Sequence, residues 1–517
     1  MQFPEETIGR MLMVGFEGLE APPHILRWLA EGRIGGVIFF ARNVASPAQL
    51  AELTQACHEA APHPILIAID QEGGIVARLR EGFTEAPGAM ALGAAGSEPL
   101  AEQVAGVLGA EMHAVGINWN LAPVLDLAHA RNIHNPSMGV RSFGDDPALV
   151  ARMSVAQVRG FQGAGVAATA KHFPGKVQSP VDPHVDLPVV ESSLEEMRAG
   201  DLVPFRAAIQ AGIASVMIAH VQFRALDEAH PSTLSRSVIT GLLRKELGFG
   251  GVIVTDCMEM GAITRRYSPA QSAVLAAQAG ADAILFSHTR TRQEEAYRAL
   301  VEAAQEGHVP AETLHAAAQR VQALAERYAI SEPPTLDRIH TPEHRAIVLQ
   351  AARAGVVQLR AESDVLPLRP DDGRTVGLIE FASHLDSDVL ESGGQSGLAA
   401  LLAERLPRLE SVLLPSREPD AATLARAGEL AARADVLIVA TRNAHLTAPQ
   451  KERAAEWLAR ARHGVLLALR NPYDALVLQA PTVLCTLGDG VPSLQAAVEA
   501  LLGAFQPSGQ LPVTMDF

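Results

Sequence analysis

The sequence predicts two α/β units in series, the first a (β/α)8 TIM-like barrel, and three observations lead there. Over the first two thirds of the chain, short β-branched runs alternate with longer segments of helical period. Ionisable and polar residues gather just after those runs, on the face where barrel enzymes place their chemistry. From Ser331 a stretch rich in Pro and polar residues, SEPPTLDRIHTPEH, breaks the pattern before a second set of apolar runs begins.

In chain order the barrel strands are expected in MLMVGF (11–16), GVIFF (36–40), ILIAID (65–70), INWNLAP (117–123), GVAATAKHF (165–173), ASVMIAH (214–220), GVIVTD (251–256) and AILFS (283–287). Segments such as SPAQLAELTQACHEA and AEQVAGVLGAEMHAVG supply the helices between them. A doubly wound open sheet shows the same alternation, so the barrel rests on the count of eight, and 1–330 is somewhat above the ~250 residues usual for that fold. The linker is expected over 331–345, ending at a helix N-terminus near Thr341 and Pro342. The second unit, 346–517, carries VVQLRAE, TVGLIEF, SVLLP, DVLIVAT, GVLLALR and TVLCTLG, which read as a mostly parallel sheet covered on both faces. Gly393, Gly394 and Gly397 in SGGQSG lack phosphate-loop spacing and read as a turn. Asn471 and Tyr473 in RNPYD stand where this sheet would meet the barrel, with no chemistry assigned.

Charge and composition narrow the partners. With 42 basic against 58 acidic residues the net charge is −16, and no basic cluster lies on a helical face, which speaks against nucleic acid. Cys57, Cys257 and Cys485 are far apart and read as reduced packing residues rather than a disulfide or zinc framework. The start MQFPEETIGRMLMVGF has no signal-peptide layout, and no apolar run approaches the roughly 20 residues that span a bilayer. A cytoplasmic protein with no membrane contact is expected; the sequence sets no oligomeric state. Trp28 and Trp457 fall on helix patterns that bury them, and Trp119 alone is expected to follow a strand toward the barrel mouth.

The richest stretch is ATAKHFPGKVQSPVDPHVDLP, from Ala168 to Pro188. Lys171 and His172 end an apolar run, and the loop after it presents Asp182 and His184 two residues apart, where a carboxylate can orient an imidazole for general acid/base work. Asp256 ends the run GVIVT; it either faces the mouth or caps the following helix. Asp70 in DQEGG holds the same position after its own strand, with Gly73 and Gly74 allowing close backbone approach and Arg78 eight residues on. Arg141 in GVRSFGDDP adds another cation. Such a mixture suits a polyhydroxylated ligand, because each hydroxyl both donates and accepts. It suits a metal less well, since no further His or carboxylate stands at ligand spacing around the Asp-x-His pair, and no cofactor is expected. An aromatic content of 4 % does not readily supply the platforms of a long glycan groove, so a small carbohydrate or a chain end is the expected partner.

These residues resemble glycoside hydrolase family 3, and within it the bacterial β-N-acetylhexosaminidases. The resemblance is carried in order by DQEGGIVARL, NPSMGVRSFGDDP, KHFPGKVQSPVDPHVDLP, MIAHVQF and VTDCMEMGAI, and more weakly by PSGQLPVT near the C-terminus. It implies a barrel followed by an α/β sandwich domain, and a retaining mechanism. Asp256 matches the nucleophile, His184 the acid/base and Asp182 its dyad partner. Asp70, Arg78, Arg141, Lys171 and His172 match positions that hold the sugar hydroxyls. A neutral His184 would also let an anion approach the covalent intermediate, so phosphate in place of water would give a phosphorylase; a barrel that binds sugar with little turnover would be a sensor. The chain departs from the family's usual KHFPGHGD at Lys176, Val177 and Gln178, places Pro183 inside the dyad, and has Ile75 where Arg is common after the paired glycines.

Overall fold

The computed structural model describes residues 5–129, 133, 135, 138–176, 185–331, 334–382, 397–415 and 419–515. All the expected barrel strands form: β1 (Leu12–Val14), β2 (Gly36–Phe39), β3 (Leu66–Ile69), β4 (Trp119–Asn120), β5 (Ala167–Phe173), β6 (Ser215–Ile218), β7 (Val252–Thr255) and β8 (Ile284–Phe286). They pair in parallel in the order β7-β6-β5-β4-β3-β2-β1-β8, and a parallel bridge from Val254 to Ala283 brings the two ends together, so the sheet closes. Closure separates this barrel from the open sheet that the same alternation allows.

Period-2 geometry explains why these strands read as unbroken apolar runs. Met13, Ile38, Leu66, Met217 and Val254 fill the barrel, while Val14, Phe39, Ile67 and Ile218 face the surrounding helices, so both faces are dry. The helices enter with local caps. Pro47–Ala60 is capped by Ser46, Glu98–Ala114 by Ser97 and Pro147–Gly163 by Asp146, each side chain accepting a backbone N–H of the first turn.

β4 is much shorter than its apolar run, and the reason is chemical. Asn118 accepts from Ile67 N (2.8 Å) and donates to Ile65 O (2.9 Å); Asn120 does the same with Gln71 N (3.0 Å) and Gln71 O (2.9 Å). Side-chain amides thus take over part of the ladder, and these two residues are clamps between strands rather than groups presented to a ligand. Trp119 corrects an expectation. It is 1 % exposed and its Nε1 lies 2.9 Å from both Thr169 Oγ1 and Ser215 Oγ, so it plugs the barrel instead of lining the mouth. Trp28 and Trp457 are buried on their helices as expected.

The second domain contains β9 (Val357–Arg360), β10 (Val376–Phe381), β11 (Leu409–Leu414), β12 (Val436–Thr441), β13 (Gly464–Ala468) and β14 (Thr482–Cys485). Their order is β9-β14-β13-β12-β10-β11, parallel except for the antiparallel β9–β14 pair. Ile379, Val439 and Leu466 belong to one apolar cluster, and Leu378, Ile438 and Leu467 to another on the opposite face, which makes the domain an α/β sandwich. The chain enters it through the helix Pro342–Ala354, whose N-cap Thr341 accepts from His344 N. Barrel residues Met90, Ala91 and Val140 join the first cluster, so that face of the sandwich also seals against the barrel. Among the described residues no helix is long and apolar enough to cross a membrane.

Trp119→Ala removes a buried indole together with its two hydroxyl contacts. It is expected to lower unfolding free energy by about 3–5 kcal/mol in urea titrations, and a loss below about 1 kcal/mol would contradict the plug.

Candidate active site

Six of the expected site residues line one cavity of about 330 Å³ at the C-terminal ends of the barrel strands: Asp70, Arg78, Arg141, Lys171, His172 and Asp256. Asp182 and His184 lie outside the described residues. Each described residue arrives from a strand end or from a loop locked to one.

Asp70 follows β3 directly. The chain then turns through a small hairpin, Gln71–Gly73 against Val76–Ala77, in which Gly73 and Gly74 take φ of +87° and +60°. A Cβ on Gly74 would sit 2.7 Å from Gly88 Cα, so the close approach and the left-handed backbone both require glycine there. Gln71 Oε1 accepts from Arg78 N (2.8 Å) and Leu79 N (3.1 Å), which fixes Arg78 against the cavity. β5 carries Lys171 and His172; its register against β6 shifts between Ala170 and Phe173, and both side chains line the cavity. Asp256 follows β7, with Asp256 N bonded to Ile218 O (3.1 Å) and its Oδ1 accepting from Cys257 N (2.8 Å). It therefore faces the mouth while holding the first amide of its own turn.

The charges are ordered by a carboxylate that the residue patterns did not single out. Glu72, 7 % exposed, accepts a forked pair of hydrogen bonds from Arg141 (2.9 and 2.8 Å) and lies 2.7 Å from Lys171 Nζ. Lys171 Nζ also reaches Asp70 Oδ1 at 2.7 Å, and Arg78 stands 3.7 Å from Asp70 Oδ2. Burial alone would push the Glu72 carboxyl up; the Arg141 and Lys171 cations overcome it and hold the group at about 2. The burial that opposes charge on Lys171 is likewise outweighed by Asp70 and Glu72, which raise it above the usual lysine range. Glu72, Arg141 and Lys171 are therefore ionised at neutral pH, and their mutual bonds hold them beside the cavity.

A second unpredicted carboxylate orients His172. Asp126, 1 % exposed, lies 2.6 Å from His172 Nδ1 and accepts from His172 N (3.2 Å) and Lys176 N (2.8 Å). Burial pushes Asp126 up to about 6, against the lowering effect of the Lys176 ammonium and these amides. Lys176 Nζ stands 3.4 Å from His172 Nε2, so the residue that departs from the family pattern belongs to the cavity wall. Phe40, at the end of β2, is the aromatic of this wall in place of Trp119; Arg42 stacks on it at 4.3 Å and His288 lies 5.3 Å from it. An acidic residue inside the apolar run from Leu121 to Leu127 was the available sign of Asp126, as Glu72 beside the paired glycines was of the clamp. Among the described residues no three His, Cys, Asp or Glu side chains converge as metal ligands. Fixed cations and carboxylates around a small cavity are suited to gripping hydroxyl groups.

Glu72→Gln keeps the shape and removes the charge that balances Arg141 and Lys171, and at pH 7 it should destabilise the protein by about 3–5 kcal/mol. The folded-state pKa is depressed, so the stabilisation is present above the ordinary value of 4.5 and is lost as pH falls through about 2. The stability gap between wild type and variant should accordingly narrow from pH 4.5 downward; a gap that does not change with pH in acid would contradict the clamp.

Comparison with known proteins bears on this geometry. Beta-hexosaminidase A of Pseudoalteromonas piscicida is 34 % identical over 388 residues, an alignment covering 69 % of this chain and 64 % of that protein, so the chain spans just under two thirds of this relative. A beta-hexosaminidase of Stenotrophomonas maltophilia is 40 % identical over 284 residues, covering 54 % of this chain and 83 % of the relative. A solved family 3 beta-N-acetylglucosaminidase from Paenibacillus sp. superposes with a TM-score of 0.92 at 37 % identity, covering 99 % of this chain and 98 % of that one. A beta-glucoside phosphorylase superposes at 0.83, but at 22 % identity it shows the shared fold alone. The description "Glycosyl hydrolase family 3 N terminal domain" matches residues 4–324, more than half of the sequence, and the chain belongs to that family.

Proposed function

We propose that this protein is a retaining exo-glycoside hydrolase that removes terminal β-linked N-acetylglucosamine from small glycosides, peptidoglycan fragments among them. The observation that carries the proposal is that Asp256 shares one cavity of about 330 Å³ with Asp70, Arg78, Arg141, Lys171 and His172. That volume is near the lower end for ligand sites and suits one sugar residue at a chain end. The two beta-hexosaminidase relatives and the beta-N-acetylglucosaminidase fold support the choice of sugar.

In this reading the Asp256 carboxylate attacks the anomeric carbon and forms an ester as the bond to the leaving oxygen breaks. His184, held by Asp182, gives its proton to that oxygen. The neutral imidazole then takes a proton from water, whose oxygen attacks the same carbon and frees Asp256. Lys171 is tied directly to Asp70, and Arg141 is tied to Lys171 through Glu72, so the three meet the sugar hydroxyls with little rearrangement. His172, oriented by Asp126, offers a further polar contact. A second reading, phosphorolysis, is favoured by Lys176: its buried ammonium adds positive charge to the same wall.

A panel of aryl N-acetyl-β-glucosaminides and β-glucosides, assayed with and without phosphate, tests these readings together. Release of the phenol from the N-acetyl substrates at a phosphate-independent rate is expected. Marked acceleration by phosphate would establish phosphorolysis, and binding without phenol release would establish a sensor. Asp256→Ala should reduce turnover by roughly three orders of magnitude or more, and unchanged turnover would remove the nucleophile assignment.

A further inference from the structure

We propose that the second domain positions part of the active site: through His445 and Asn471 it holds the turn that delivers Arg141 to the sugar. The inference rests on the reading that Arg141 contacts substrate. It starts from the short turn Gly139–Arg141, whose residues are held from opposite sides. Arg141 points into the cavity and grips Glu72, whereas Val140, 3 % exposed, is buried in the apolar cluster that contains Phe381, Val439 and Tyr473 of the second domain.

Gly139 lies directly beneath Asn471. A Cβ there would sit 2.3 Å from Asn471 Oδ1, and φ is +44°, so the turn is pressed against the second domain as closely as a bare backbone permits. Asn471 is itself held, its Nδ2 donating to Asn443 Oδ1 at 2.7 Å. Upstream of the turn, His445 Nε2 lies 2.9 Å from Ile133 O, and its Nδ1 lies 2.8 Å from Asp474 Oδ1. His445 thus joins the barrel loop to Asp474, whose Oδ2 also accepts from Thr441 Oγ1 (2.6 Å). Downstream, Asp145 N donates to Pro512 O (3.0 Å) and Thr514 N to Asp145 Oδ2 (2.6 Å). The loop is thus tied to the second domain before, beneath and after Arg141. His445 and Asn471 are positioning residues: neither lines the cavity, Asn471 meets the turn itself at Gly139, and His445 meets the chain ahead of it at Ile133 O.

His445→Ala and Asn471→Ala test this. A turn that wanders weakens a contact made in ground and transition states alike, so KM for an aryl N-acetyl-β-glucosaminide should rise roughly three- to tenfold with kcat within about twofold. Amide hydrogen exchange over 138–142 should accelerate at least about tenfold. In an Arg141→Ala background the added effect of His445→Ala on KM should fall below about twofold. Folded variants with unchanged KM and unchanged exchange would overturn the proposal, as would an equal KM rise in the Arg141→Ala background. Asn471→Ala carries the comparison should His445→Ala fail to fold, as judged by melting. If the wild-type protein releases no phenol, the hydrolase reading falls while the exchange measurement still decides whether the second domain holds the turn.

Discussion

The site depends first on one buried carboxylate. Glu72 binds Arg141 through a forked pair of hydrogen bonds and Lys171 through a short contact, and Lys171 carries the connection to Asp70. Removing several charges from water costs several kcal/mol each, and only mutual pairing with good geometry offsets that cost. The reward is not stability as such. Paired in this way, the side chains are fixed beside the cavity, and under the proposed function a sugar would meet oriented donors and acceptors instead of flexible ones. A cavity lined by isolated lysines and aspartates would have rearranged to satisfy itself.

The barrel makes that pairing possible by bringing strand ends together. Glu72 comes from the hairpin after β3, Lys171 from β5 and Arg141 from the loop after β4, so the clamp joins three consecutive strands at their C-terminal side. Asn118 and Asn120 lock β4 to β3 through their side-chain amides, and Trp119 fills the interior beneath. These polar contacts lie inside the barrel wall, where an unmatched amide would be expensive, and they hold the strands that aim the catalytic face. Asp126 extends the same logic outward by fixing His172 and the start of the loop at Lys176.

The sandwich domain adds constraint from the other side. Its cluster of apolar residues includes Val140, and its polar groups hold the chain on either side of that residue. Arg141 therefore lies between a carboxylate in the barrel and a backbone held by the second domain. An arginine on a loop of this kind would otherwise sample many positions; the held backbone fixes where its side chain starts, and the forked bonds to Glu72 fix its rotamer.

Much of this was legible in the order of residues. Apolar runs located the eight barrel strands and the six strands of the sandwich sheet, because strands buried on two sides, as most of these are, need no polar alternation; the short strand pairs Gln71–Gly73 with Val76–Ala77 and Val189–Val190 with Gln222–Phe223 carried no such run. Residues such as Asp70, Lys171 and Asp256, placed just after those runs, marked the mouth because strand ends must converge there in a closed barrel. Local sequence could not say which polar residues turn inward toward structure. Asn118, Asn120 and Trp119 sit at the same strand as residues of the mouth, yet their partners are other strands, a fact set by cross-strand distance alone. Glu72 and Asp126 were passed over for the converse reason: a carboxylate's role is decided by partners 46 to 99 residues away, and only the folded chain brings those together. Sequence determined the elements and the face they present; tertiary structure decided the pairing, because ion pairs and hydrogen bonds act over a few ångströms of space and not along the chain.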